Sequence, residues 1–191
     1  MTFYPNVKKN GPSESNLCWA AACANVLSQT GWIDRSDLLD EYDLYNQYKN
    51  RFGNEMNSIM TGVNYFFSDI LHFKYNPREA VRIIPPRQIY FCGNMPKKRQ
   101  SAALEVIRRN GAKHVLTCYE IQRSIAEKFA SDDPRRYRSA IYVDSDFSED
   151  IETLFLTYDA KKHFTSVEYR DDDWELYCVV LLSPPVGNSM I

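Results

Sequence analysis

The run from Leu17 to Leu27 is built largely from small and apolar residues. It predicts a helix that continues to about Thr30 and stops at Gly31, a glycine placed to end it. Small residues at positions 20, 21, 22 and 24 let that helix lie close against another element. A second helix is predicted over residues 37–50, capped by Ser36, with Leu38, Tyr42 and Tyr45 on one face and a stop near Gly53. Residues 57–71 read as a further helix or a pair of turns, with Tyr65, Phe66 and Phe67 in the core. Pro85-Pro86 breaks the chain before a strand at residues 88–92. Residues 101–109 read as helix, stopped by Asn110-Gly111. From there the pattern turns to β. Residues 112–121 alternate in part, and Ala140-Ile141-Tyr142-Val143 runs straight into Asp144-Ser145-Asp146. Residues 154–158, 164–169 and 175–182 are three antiparallel strand candidates. Between the first two β segments lie a helical stretch at residues 124–130 and a break at Ser131-Asp132-Asp133-Pro134. Helices first and sheet later is an α+β layout, with N-terminal helices packed on a C-terminal antiparallel sheet. No internal repeat interrupts it, and 191 residues allow one domain, residues 1–191, with a core stable on its own.

Composition narrows the classes. With 44% hydrophobic and 25% charged residues the chain reads as ordinary globular protein, and its net charge of −2 leaves no nucleic-acid footprint. The short basic clusters Lys97-Lys98-Arg99 and Arg135-Arg136-Tyr137-Arg138 read as solvated surface. Five cysteines without paired spacing argue against a disulfide scaffold. Neither CxxC nor HExxH occurs, so no metal or other cofactor is expected. The opening residues lack a basic start and an apolar run, so no Sec signal peptide is expected, and no stretch approaches a membrane span.

The candidate chemistry begins at Cys18. The first N–H groups of a helix have no intrahelical acceptor, and the helix dipole places partial positive charge there. Such a setting suits the thiolate form in which cysteine acts as a nucleophile. Asn16 is the predicted N-cap, with Ser13 and Ser15 as competitors, which puts Cys18 at the second helical position. Cys23, Cys92, Cys118 and Cys178 sit in apolar surroundings away from a helix start and read as small buried hydrophobes. A nucleophilic thiol needs a base, and the base needs an orienting group. Of the three histidines, His114 alone sits on a strand beside an element end. His72 follows an aromatic stretch and His163 lies in a polar hairpin connection. Asp144 and Asp146, at a strand end, are the candidate acids. Such a carboxylate can accept Nδ1–H of an imidazole and fix its tautomer.

These segments together resemble the immunoglobulin-degrading (IdeS/Mac-type) cysteine endopeptidases, a papain-like branch. The similarity lies in Leu17-Cys18 opening an alanine-rich helix through Asn25-Val26-Leu27, in His114-Val115, and most specifically in Ala140-Ile141-Tyr142-Val143 leading to Asp144-Ser145-Asp146. The closing β segments resemble the family's last hairpin in pattern, and Cys18-Trp19 is similar to papain-like enzymes more broadly. The resemblance implies a single papain-like catalytic domain that hydrolyses a protein substrate through an acyl-enzyme. It implies Cys18 as nucleophile, His114 as general acid and base, Asp144 as the orienting carboxylate and Asp146 as a supporting acid. The family places a lysine near the oxyanion site, and Lys8 stands at that position. Pro12 stands where other papain-like enzymes carry a glutamine. Oxyanion donors would therefore be the Cys18 N–H with Lys8, Asn10 or Asn16. The chain is much shorter than typical members, so the resemblance does not extend to immunoglobulin as the substrate. The family's habit implies a bacterial protein, secreted or delivered into a host cell, whose partner is a protein substrate such as a host protein. Two other readings stay open: a glutamine deamidase or acyltransferase using the same thiol chemistry, and a non-catalytic protein that uses a protease-like fold for binding. Oligomeric state is not legible.

Overall fold

The computed structural model describes residues 7, 12–90, 92–97, 99–123, 135–144, 151–169 and 172–186. The fold is α+β, with helices leading and an antiparallel sheet following. Helix α1 (Cys18–Gln29) is buried on every side from Cys18 to Leu27, as expected of a helix that is apolar all round. It ends where the Thr30 hydroxyl bonds back to Val26 O at 2.7 Å and Gly31 takes φ +79°. Helix α2 (Glu41–Phe52) starts later than the sequence pattern predicts. The Ser36 hydroxyl is taken by Ile33 O at 2.7 Å, and Asp40 caps instead, accepting from Tyr42 N–H and Asp43 N–H at 2.9 and 3.0 Å. Its buried face is accordingly Leu44, Tyr45 and Tyr48, and Tyr42 points to solvent. Helix α3 (Ile59–Tyr65) is capped by Ser58 and runs into a π turn, Phe66–Ile70, that buries Phe66 and Phe67 completely. Helix α3 approaches α1 so closely that a Cβ on Gly62 would lie 2.7 Å from the Cys23 sulfur.

A helical turn, α4 (Pro77–Ala80), leads into strand β1 (Val81–Ile84). The strand predicted at residues 88–92 is absent; a turn of helix, α5 (Pro86–Ile89), stands there, with Pro86 at a first-turn position where its missing N–H costs nothing. Six longer strands follow: β2 (Ser101–Arg108), β3 (Lys113–Arg123), β4 (Arg135–Val143), β5 (Glu152–Asp159), β6 (Phe164–Tyr169) and β7 (Asp172–Leu182). Neighbours pair antiparallel in the order β1-β7-β2-β3-β4-β5-β6, and β6 pairs again with β7, so β2 to β7 close on themselves. The helix predicted at residues 101–109 is therefore strand β2. Its first six residues are all buried because both faces are covered. Leu104 and Val106 join the core between the strands, while Ala103 joins the core under the helices. A strand covered on both sides loses the alternation that identifies it, and tertiary packing overrides the helix preference of Ala, Leu and Glu.

Helix α1 lies against β3 and β2. Val115, Cys178 and Val180 meet it from the sheet, and Leu116, Tyr142, Leu156, Val167 and Leu176 fill the space between the strands. No helix among the described residues is long and apolar enough to cross a membrane. The segment at 124–134 and the sequence positions Lys8, Asn10 and Asp146 lie outside the described residues.

Candidate active site

Cys18 is the first residue of α1, one position earlier than an Asn16 cap implies. Asn16 does not cap. Its backbone N–H donates to Asn54 Oδ1 at 3.0 Å and its side-chain amide donates to Asn54 O at 3.1 Å, both bonds going to the loop after α2. Leu17 precedes the helix without a side-chain cap. The backbone N–H groups of Cys18 and Trp19 consequently have no acceptor among the described residues. Trp19 fixes this turn from behind. Its indole N–H donates to Glu55 O at 2.9 Å, and its ring packs on Tyr48 and Phe52 at 5.4 and 5.5 Å.

His114 is the second residue of β3, and Asp144 directly follows β4. The antiparallel pairing of β3 with β4 puts the start of one beside the end of the other, which brings the two side chains together across 30 residues of sequence. His114 Nε2 lies 3.0 Å from Asp144 Oδ1. The sequence reading placed Nδ1 on the carboxylate; the structure places Nε2 there. Cys18 lies close enough to the ring to help raise its pKa. Which nitrogen meets the carboxylate depends on how the side chain leaves the strand, a direction that residue order does not carry.

Two aromatic residues that sequence reasoning passed over complete the surroundings. Tyr169, the last residue of β6, donates its hydroxyl to the second oxygen of Asp144. Its ring stacks on the imidazole at 5.8 Å with 24° between planes. Trp174, near the start of β7, packs on the same imidazole at 6.0 Å and carries the Arg108 guanidinium 4.5 Å over its own ring. Their inward alternation with Val167 and Leu176 was the available signal, because it aims both at the strand ends where His114 sits.

Burial, the largest influence on His114, pushes its pKa down. Hydrogen bonding to Asp144 and to Cys18, and the charges of both, outweigh it and push the pKa up to about 10. The Asp144 carboxylate and the Cys18 sulfur thus favour the protonated form of the imidazole. His114 is 7% exposed, Asp144 3% and Cys18 fully enclosed. Burial pushes the thiols of Cys23, Cys118 and Cys178 up to about 12, and no imidazole adjoins them. His72 and His163 are exposed in turns with φ 50° and 58°.

Asn25, buried two turns along α1, ties the pieces together. Its side-chain oxygen accepts Val7 N–H at 2.8 Å, and its amide donates to the Thr117 hydroxyl of β3 at 3.0 Å. The helix that carries the thiol is thereby fixed to the strand that carries the histidine. Among the described residues no group of three or more His, Cys, Asp or Glu side chains could hold a metal ion. No protein-family model, curated protein or solved structure matches this chain.

Proposed function

We propose that this protein is a cysteine endopeptidase of papain-like fold that hydrolyses a protein substrate through Cys18, His114 and Asp144. One observation carries the reading: a helix start, a strand start and a strand end, far apart in sequence, bring a thiol, an imidazole and a carboxylate together, the carboxylate bonded to the imidazole and the sulfur near enough to raise its pKa. The Cys18 sulfur, its proton held by His114 as the imidazolium, attacks the scissile carbonyl. The resulting oxyanion meets the Cys18 N–H, which the helix leaves unpaired. The resemblance adds Lys8 and Asn16 as further donors and Asp146 as a supporting acid. His114 gives its proton to the leaving amine and then takes one from the water that releases the acyl group. Asp144, anchored by Tyr169, holds the ring in register through both transfers. Trp174 and Tyr169 cover the His–Asp pair and keep water from competing for it.

The same groups can release ammonia from a glutamine side chain, because the acyl-enzyme does not distinguish leaving groups. Digestion of a mixed peptide library followed by mass spectrometry separates the outcomes. Chain scission lost in Cys18→Ala supports the endopeptidase. A side-chain mass gain of about 1 Da without scission means deamidation, since amide becomes acid. Full turnover by Cys18→Ala contradicts both. His114→Ala is expected to lower kcat by about 10²–10⁴-fold, the usual contribution of a positioned acid–base group, and Asp144→Ala to lower it strongly. The family resemblance further favours a bacterial protein, secreted or delivered into a host cell, acting on a host protein.

A further inference from the structure

A cavity of about 520 Å³ opens on the helix-facing side of the strands, and the chemistry above does not use it. Met60, Ile83, Glu105, Lys113, Tyr177 and Cys178 are among its lining residues. It lies beside the start of β3. Lys113 immediately precedes His114, with its side chain on the other face of the strand, and Glu105 pairs across β2 and β3 with Val115, which follows it. The opposite wall, Ser58 and Met60, belongs to the start of α3, the helix whose Gly62 abuts Trp19 and Cys23 of α1.

The walls are largely apolar, but the depth carries a charge. Glu105 is 9% exposed. Its Oε1 accepts Ile59 N–H at 2.8 Å, and its Oε2 faces the Cys178 thiol at 3.7 Å. No cation pairs with it among the described residues. Lys113, in the same cavity, sets its ammonium 5.8 Å over the Tyr177 ring instead. A carboxylate taken out of water without a counter-charge is costly, and a cation entering the cavity removes that cost. Ile83 and Tyr177 are each more than half exposed at the lining, apolar surface suited to the methylene stem of a long cationic side chain.

We propose that this cavity receives a basic side chain of the protein substrate, lysine or arginine, with Glu105 as its counter-charge. The inference rests on Cys18 being the nucleophile. Cavities of this size, with largely apolar walls and a few placed polar groups, here the buried Glu105 with Lys113 turned to the Tyr177 ring, are typical of ligand sites.

The test needs no knowledge of the natural substrate. Tripeptidyl chloromethyl ketones alkylate a nucleophilic thiol with loss of chloride. Reagents carrying arginine, lysine or norleucine at each of the three positions in turn are compared by the rate at which they label Cys18. Every rate is normalised to iodoacetamide labelling of Cys18 in the same protein. At one position the wild-type chain is expected to prefer arginine or lysine over norleucine by about tenfold or more, the scale of one desolvated charge pair. Preference for arginine alone indicates forked pairing, and equal preference for lysine indicates a point charge; both support the cavity. Glu105→Gln keeps an acceptor for Ile59 N–H and is expected to abolish the preference. Equal rates for norleucine at all three positions, or a preference that survives Glu105→Gln, overturn the inference while leaving the thiol chemistry standing. If iodoacetamide does not single out Cys18 in a His114-dependent way, the thiol reading falls, and this inference falls with it.

Discussion

His114 is held by Asp144 at Nε2 and by Tyr169 and Trp174 on its ring, and its proton records the surroundings. The Asp144 and Cys18 contacts raise its pKa from 6.5 to about 10 against the opposing pull of burial. A group whose pKa rises on folding adds stability that is complete below the unfolded value and fades as pH climbs through the folded one. The wild-type chain is therefore expected to lose stability between about pH 6.5 and 10 more steeply than His114→Gln does, as read by urea denaturation at a series of pH values. Parallel slopes for the two proteins would show that the imidazole gains nothing from its partners. At this scale much of the site was legible. A thiol at a helix start, a histidine on a strand and an acid at a strand end are each marked by residue type and local position. The Asn16 cap was not legible correctly, because the competing partner, Asn54, lies 38 residues away. Nor was the ring nitrogen facing Asp144, which depends on the direction from which the strand arrives.

Between elements, α3 comes very near α1 at Gly62. Its missing side chain lets α3 lie against the Cys23 sulfur and the Trp19 ring of α1. Cys23 in turn contacts the Tyr48 hydroxyl at 3.2 Å, which donates to Gly62 O at 3.0 Å, so three helices meet at one point. Gly62→Ala is expected to cost about 1–3 kcal/mol, the usual penalty of overpacking, measured as a fall in Tm. Cys23→Ala in the same chain should recover part of it, since the sulfur is the nearest clash; an unchanged Tm in Gly62→Ala would mean the helices can part freely. Element type was read well where one face meets solvent. β5, with its alternating exposed and buried positions, and β6 were found from that pattern. It was misread where both faces are covered, as in β2, and where prolines support a helical turn, as in α5.

Across the whole molecule, the helical layer supplies the thiol and the closed sheet supplies the imidazole and the carboxylate, so the candidate site forms only when the two dock. The layout of helices followed by strands was plain in the sequence. Closure was not, because it depends on β7 pairing with β2 on one edge and with both β1 and β6 on the other, with a register shift at Glu105/Val106. No local pattern encodes such sharing of an edge. Docking also gives the five thiols very different surroundings. Cys92 is half-buried, three others are buried and pushed up to about 12, and Cys18 alone meets an imidazole.

Iodoacetamide labelling of the wild-type chain and of His114→Ala, followed across pH by peptide mapping, tests the pairing most directly. The account predicts that Cys18 labels fastest of the five, ahead of the more accessible Cys92, and that His114→Ala removes its lead. Labelling of Cys18 no faster than of the buried thiols, or a rate indifferent to His114, would contradict the Cys18–His114 pair and with it the proposed enzyme.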